Sequence, residues 1–378
     1  MNPRSALFQG ILDAPEDDAV RLVLADFLEE NGEEERAEFI RLQIYATSDE
    51  TIDTGRAALI ESEFAEVWVN ELPVWARQGV RYERGFPHEV MVSVTDFIEN
   101  ADELFAVAPI RGINFTESRG RMTPLMRHPR LSHIQMIDLS HNQLFDSSLY
   151  PISQSPFLTE LTDLNLGANR IGNEGIYEIT RTRAMPKLNC LHLWQNRISF
   201  AGIRSLAISE LMSQIELLYL VENHLGPDGT MAITSSERVG NLRALDLRAN
   251  DIGLEGFEAI VNSRHLGELR ELYLGLNDLG DGIAEFIATP SGLPHLEYLE
   301  LWSNDLTAKT VRTLARTPWT IRLRGLDLSG NPIGNEGARH LLESPYLVRL
   351  QRLDVQSCGI EGDIMQELQY RFRSGLVL

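Results

Sequence analysis

The 378-residue sequence predicts an α/β solenoid, with short parallel strands along one side of a stack of repeats and helices along the other. Three observations carry this. An asparagine returns every 27 residues, at Asn142, Asn169, Asn196, Asn223, Asn250, Asn277, Asn304 and Asn331, and Cys358 takes the ninth place. Eight, five and three residues before each marker stands an aliphatic residue, as in Leu161, Leu164 and Leu166 or Leu296, Leu299 and Leu301. Two residues after the marker comes Ile or Leu, often followed by glycine, and then a stretch with helical apolar spacing. Such a chain grows by adding units and needs no single central core.

Residues 1–80 carry no repeat and read as an acidic helical segment. Pro15, Glu16, Asp17 and Asp18 start a helix, with acids placed to suit its dipole. Val20, Val23, Leu24, Phe27 and Leu28 form its apolar stripe, and Asn31 with Gly32 ends it. A second helix runs from Glu33 to about Tyr45, burying Ala37, Phe39, Ile40 and Leu42. A polar linker, Thr47 to Thr54, leads to a third helical stretch from Gly55 to Leu72. Arg21, Asp26, Arg36 and Glu38 are expected in surface or interface ion pairs. Because the first unit of a solenoid has a bare apolar face, this segment is expected to cap it. On Pro15–Asp18, Arg21–Val23, Ala25–Glu30, Gly32 and Arg36–Gln43, the stretch from Phe8 to Gln43 resembles the repeat-companion domain found ahead of leucine-rich repeats in planctomycete paralogues. Phe27 departs from the Trp common there; the resemblance implies bacterial context and no activity.

Residues 81–130 hold the repeat in blurred form. Glu89 to Val94 alternates as a strand does, and Thr95 is placed to cap a helix through about Val107 that buries Phe97, Ile98, Leu104 and Phe105. Ile110, Ile113 and Phe115 echo the aliphatic triplet, with Ser118 at the marker place, and Met122, Leu125 and Met126 follow.

Residues 131–378 form nine regular units, which with the blurred ones predict about eleven parallel strands. The triplet points inward, and the marker amide serves backbone groups in the bend below each strand as a buried ladder. Helices are wider than the strand spacing of about 4.8 Å, so the stack is expected to curve into a horseshoe. Inward helix residues are expected at Ile176 and Ile179, Phe257 and Ile260, and Phe286 and Ile287. The pattern L-x-x-L-x-L-x-x-N-x-[IL]-G-x-x-G over 131–378 resembles the ribonuclease-inhibitor-like subfamily of leucine-rich repeats. Cys358 departs from it in the last unit, where no further neighbour waits to be bonded.

A net charge of −21, from 55 acids and 34 bases, argues against a nucleic-acid binder and favours solubility or a cationic partner. Two cysteines, no disulfide-rich caps, no signal-peptide core and no apolar run of about 18 residues point to the cytoplasm rather than a membrane.

Side chains alternate across a strand, so residues two, four and six before each marker face the hollow of the arc. Those columns bring out Trp194, Tyr219, Tyr273, Tyr298 and Trp302, ringed by Asp246, Glu271, Glu300, Asp327 and Asp354, with Arg248 among them. Exposed aromatics beside acids have the composition of a protein-binding hot spot for a basic segment; the plainer account is that the rings fill the hollow beside one another. Arg248 is expected to pair with Asp246 or Glu271, or to receive a partner's carboxylate. Asp163, Cys190 and His192 share this face and make a conceivable nucleophilic group, without an oxyanion loop or closed pocket. No zinc-site spacing or phosphate loop occurs, so neither enzyme activity, metal nor cofactor is expected. The leading expectation is a scaffold binding a basic protein segment. The resemblance also implies a second reading, a regulator of an enzyme such as a GTPase activator or enzyme inhibitor. A hydrolase and a surface without any ligand complete the set.

Overall fold

A computed structural model describes residues 3–48, 54–288, 292–372 and 375–377, and the chain divides into two compact units. One comprises Met1–Asn142 with Ser155–Leu161, the other Gln143–Gln154 with Thr162–Leu378.

The first unit opens with four helices, α1 (Pro3–Asp13), α2 (Asp18–Glu30), α3 (Glu34–Ser48) and α4 (Thr54–Trp68). Residues 49–53 of the expected polar linker lie outside the described residues. Asp17 caps α2 by accepting from the Ala19 amide, and Asn31 with Gly32 (φ +84°) closes it, as the acids and the Asn-Gly pair predict. The stripe is narrower than expected, because Val23 is exposed while Arg21 is buried in its stead. Ile11, Leu24, Ala25, Leu28, Ala37, Ile40 and Ile44 form one core, with Phe86 from the following hairpin packed into it. Phe39, Ala57, Ile60 and Trp68 form another. Arg36 is also buried, its guanidinium 4.2 Å from the Trp68 ring centre, with Glu71 at 3.6 Å. Both arginines pack against aromatic rings and Arg36 also makes the expected ion pair, with Glu71, while Asp26 and Glu38 pair at the surface with Arg41 and Arg56.

A hairpin follows, β1 (Gln78–Glu83) antiparallel to β2 (Phe86–Ser93). Arg84 (φ +51°) and Gly85 (φ +84°) make its two-residue turn, the left-handed pair that matches strand twist. A side chain at Gly85 would strike Ile40, its Cβ falling 2.2 Å from Cγ1, so glycine is what lets the turn sit against α3. β1 was not anticipated. It is short, polar and bulged, and it covers the edge of β2. Helix α5 (Val94–Phe105) buries Phe97 and Leu104, but its cap is Ser93, which accepts from the Asp96 amide, rather than Thr95. Ile98 and Phe105 are only half-buried. Strands β3 (Gly112–Thr116) and β4 (Met136–Asp138) continue parallel to β2.

Among the described residues the second unit carries nine parallel strands, each beginning 27 residues after the last through the eighth: β5 (Asp163–Asn165), β6 (Cys190–His192), β7 (Leu217–Tyr219), β8 (Ala244–Asp246), β9 (Glu271–Tyr273), β10 (Tyr298–Glu300), β11 (Gly325–Asp327), β12 (Arg352–Asp354) and the two-residue β13 (Leu376–Val377). Return segments are helical, as in Asn173–Thr180, Gly253–Val261 and Gly334–Glu343. The aliphatic triplets are buried, Leu164, Leu245 and Leu272 at 1% exposure or less, except that Leu350 of the last unit is half-buried. In the short helix Ala284–Ile287 the buried residues are Ala284 and Ile287, with Ile283 buried just before it, and Phe286, expected inward, is half-buried.

The asparagines stack as expected. Asn277 Nδ2 donates to the Leu247, Leu274 and Gly275 carbonyls at 2.9–3.2 Å, and its Oδ1 accepts from the Asn250 and Ile252 amides. Asn304 and Asn331 repeat the arrangement. Cys358 differs from expectation: its thiol donates to the Leu328 carbonyl at 3.1 Å, keeping the backward link of the ladder. The residue before each marker sits in the left-handed region, from Ala168 (φ +50°) to Ser357 (φ +55°), which turns the chain out of the strand. A further ladder went unforeseen. Thirteen residues past the marker, Ser155, Thr182, Ser236, Ser263 and Ser344 each donate a hydroxyl to the carbonyl 29 residues earlier.

Leu245→Ala and Leu272→Ala should each cost about 2–5 kcal/mol as fully buried truncations. The measurement is the drop in urea midpoint, and an unchanged midpoint would place these leucines outside the core.

Candidate functional site

The sheet face of the second unit is built by the non-leucine positions of each strand, and the structure sorts them into three neighbourhoods.

On β5–β7, Asp163, Cys190, His192 and Tyr219 come together. Register sets Asp163 opposite Cys190, and His192 opposite both Asn165 and Tyr219. Cys190 Sγ lies 3.1 Å from His192 Nε2, which is 3.5 Å from Asp163 Oδ2. The Tyr219 ring stacks on His192 with centroids 4.4 Å apart and planes 9° from parallel. Burial and the neighbouring Asp163 carboxylate push the Cys190 thiol well up, so the metal-free side chain is a thiol and a poor nucleophile. The Tyr219 hydroxyl is pushed up to about 12, chiefly by burial.

On β8–β10, Arg248 and Asp246 form a two-pronged ion pair, with Nε at 2.9 Å and Nη2 at 2.5 Å from the carboxylate oxygens. Arg248 also lies 3.7 Å from Glu300 and 5.5 Å from the Tyr273 ring centre. Its charge is thus committed within the chain, and Glu271 instead accepts from the Tyr273 hydroxyl at 2.6 Å. Trp302 Nε1 donates to Glu300 at 2.6 Å, and the Tyr273 and Tyr298 rings meet at 5.2 Å.

On β11 and β12, Asp327 accepts from the Ser329 amide and hydroxyl, and Asp354 from the Gln356 amide. Asp138, Asn165 and Asp246 make the same bond to the amide two residues on. At these five positions the column therefore has a structural task, closing a backbone donor at the end of the strand. That corrects the expectation of a solvated acidic ring: Asp246, Glu300 and Asp354 are buried at 1%, 6% and 7% exposure, while Glu271 is exposed.

The five rings all lie on this face, half-buried rather than projecting. Glycines make room for three of them. A Cβ on Gly167 would fall 2.1 Å from the Trp194 ring, one on Gly275 2.2 Å from Trp302, and one on Gly325 2.1 Å from Tyr298. In each case the glycine occupies the ring's own column in an adjacent repeat. The sequence holds that pairing, visible only when the columns are compared side by side.

A solenoid of identical strand-and-helix turns is the class of protein this architecture defines. The family model "Leucine Rich repeat" matches residues 158–179, 241–261, 269–288 and 323–342, so the chain carries leucine-rich repeats. Arrays of this kind act as protein-interaction scaffolds. Among solved structures, an internalin from Listeria monocytogenes is similar at 15% identity, over 76% of this chain and 85% of that one, with a TM-score of 0.40. No curated protein matches the sequence. Among the described residues, no helix is long and apolar enough to cross a membrane.

Burial raises Glu300 to about 7, with Arg248 opposing the shift. Its folded-state pKa lies above the unfolded value, so between the two the folded protein keeps a proton that the unfolded chain has released. Stability is therefore greatest below that window and falls as pH rises through about 7. Urea midpoints measured from pH 5 to 8 should show this fall, and Glu300→Gln should flatten it.

Proposed function

We propose that this protein is a non-enzymatic scaffold of the cytoplasm whose sheet face, on β6–β12, holds a partner protein through a basic segment. The observation that carries it is the set of five rings, Trp194, Tyr219, Tyr273, Tyr298 and Trp302, arrayed on one face and braced by glycine seats, stacking and carboxylates. Rings held this way lose little freedom when a ligand covers them, and Trp and Tyr dominate binding energy at interfaces. The charge of −21 and the accessible Glu271, Asp163 and Asp327 favour a cationic segment over nucleic acid or an anionic membrane surface. Asp246, Arg248 and Glu300 act here as bracing for the rings, and Asp354 as a strand-end acceptor, rather than as direct contacts.

The same reading divides the chain into a helical cap over residues 1–80, irregular repeats over 81–130 and nine regular repeats over 131–378. Packing of Phe86 into the helical core supports the cap. The repeat pattern keeps its resemblance to the ribonuclease-inhibitor-like subfamily, and the first segment to the planctomycete repeat-companion domain.

Trp194→Ala combined with Trp302→Ala should abolish capture of a protein from native lysate while circular dichroism and melting stay close to wild type. Capture by the intact protein should weaken as salt rises, since the attraction is partly ionic. Equal capture by the double variant would remove the site.

A further inference from the structure

Asp163, Cys190 and His192 offer three different donor atoms, a carboxylate oxygen, a sulfur and an imidazole nitrogen, all within 4.8 Å of one another. We propose that they form a Zn²⁺ site with an open fourth position on the sheet face. The site shares Asp163 and the Tyr219 ring with the protein-binding face, but its test reads zinc binding alone.

The argument begins with strand geometry. Cys190 and His192 are two apart on β6 and so point to the same side, while Asp163 is the in-register neighbour of Cys190 on β5. Three ligands on two paired strands, tied to adjacent repeats by the asparagine ladder, are held in place before any ion arrives. A tetrahedral zinc with bonds of about 2.0 Å to nitrogen and oxygen and about 2.3 Å to sulfur needs ligand atoms roughly 3.3–3.5 Å apart. The Sγ–Nε2 distance of 3.1 Å and the Nε2–Oδ2 distance of 3.5 Å lie within a few tenths of an ångström of that requirement.

Chemistry narrows the ion. Magnesium and calcium prefer sets made wholly of oxygen donors, whereas one sulfur, one imidazole and one carboxylate suit zinc and its cobalt substitute. Tyr219, stacked on His192, fixes the plane of the ring, the kind of outer support that ligating histidines need. Access is adequate: the side chains of Asp163 and His192 are 24% and 26% exposed, so an ion can enter and a water can fill the fourth position. On binding, the Cys190 thiol gives up its proton to solvent and its sulfur takes the metal in exchange.

The test uses the full-length protein, stripped with chelator and titrated with Zn²⁺ alone by calorimetry. One ion should bind with a Kd of about 1 µM or below. Co²⁺ should give a thiolate-to-metal charge-transfer band and the visible absorption of a tetrahedral site. Cys190→Ser and His192→Asn should each weaken zinc binding at least about 100-fold and abolish the charge-transfer band. Cys358→Ser, at the other thiol, should leave both unchanged. Circular dichroism on each variant checks the fold. Absence of zinc binding by the wild-type protein, or a Cys190→Ser variant that binds as tightly, overturns the assignment.

Discussion

The second unit depends on a single buried carboxamide repeated once per turn. Asn277, like Asn304 and Asn331, joins backbone groups of its own bend to those of the preceding repeat, donating through Nδ2 and accepting through Oδ1, whereas Asn250 makes the link through Nδ2 and its Oδ1 has no partner. An unpaired polar group inside such a stack is expensive, so the bend, the strand that precedes it and the neighbouring repeat are fixed together. The leucine triplets supply apolar burial but no direction. The amides decide that adjacent strands lie in register, and register decides which side chains meet on the sheet face.

That face shows how a regular scaffold holds irregular chemistry. Its rings come from different repeats yet rest on one another's glycines and share carboxylates, because every column advances by one strand spacing. Acids four residues before the markers close strand-end amides and are partly withdrawn from water. Negative charge here is in large part internal. The exposed Glu271 stands among the rings, opposite Tyr298 in register and bonded to the Tyr273 hydroxyl.

Period, triplets and marker asparagines are readable from the sequence because each obeys spacing alone, and the same column arithmetic assigns the five rings to the sheet face, though not their half-burial. What escaped depended on neighbours distant in sequence. Arg21 and Arg36 look like surface cations until Phe86, Trp68 and Tyr82 arrive from elsewhere in the chain to pack against them. The β1 strand alternates too weakly to be noticed, and its partner is defined only by the Arg84-Gly85 turn. Burial of Asp246 and Glu300 follows from Arg248 and Trp302 lying across them, which a column of letters does not show. The closeness of Asp163, Cys190 and His192 was visible as a shared face, but its fit to a tetrahedral ion required distances.

The hydroxyl ladder has a consequence for how such a chain changes over generations. Ser155, Thr182, Ser236, Ser263 and Ser344 tie five of the coils to their predecessors near the end of the return segment, while Ser209 and Thr317 at the same place bond within their own turn and the asparagines make their link at the bend. With both rails in place, inserting or deleting one or two residues inside a coil puts at least one rail out of step. Gain or loss of a complete coil disturbs neither. The molecule is thus free to lengthen or shorten by whole-turn duplication or excision, and its length is the property most open to evolutionary drift.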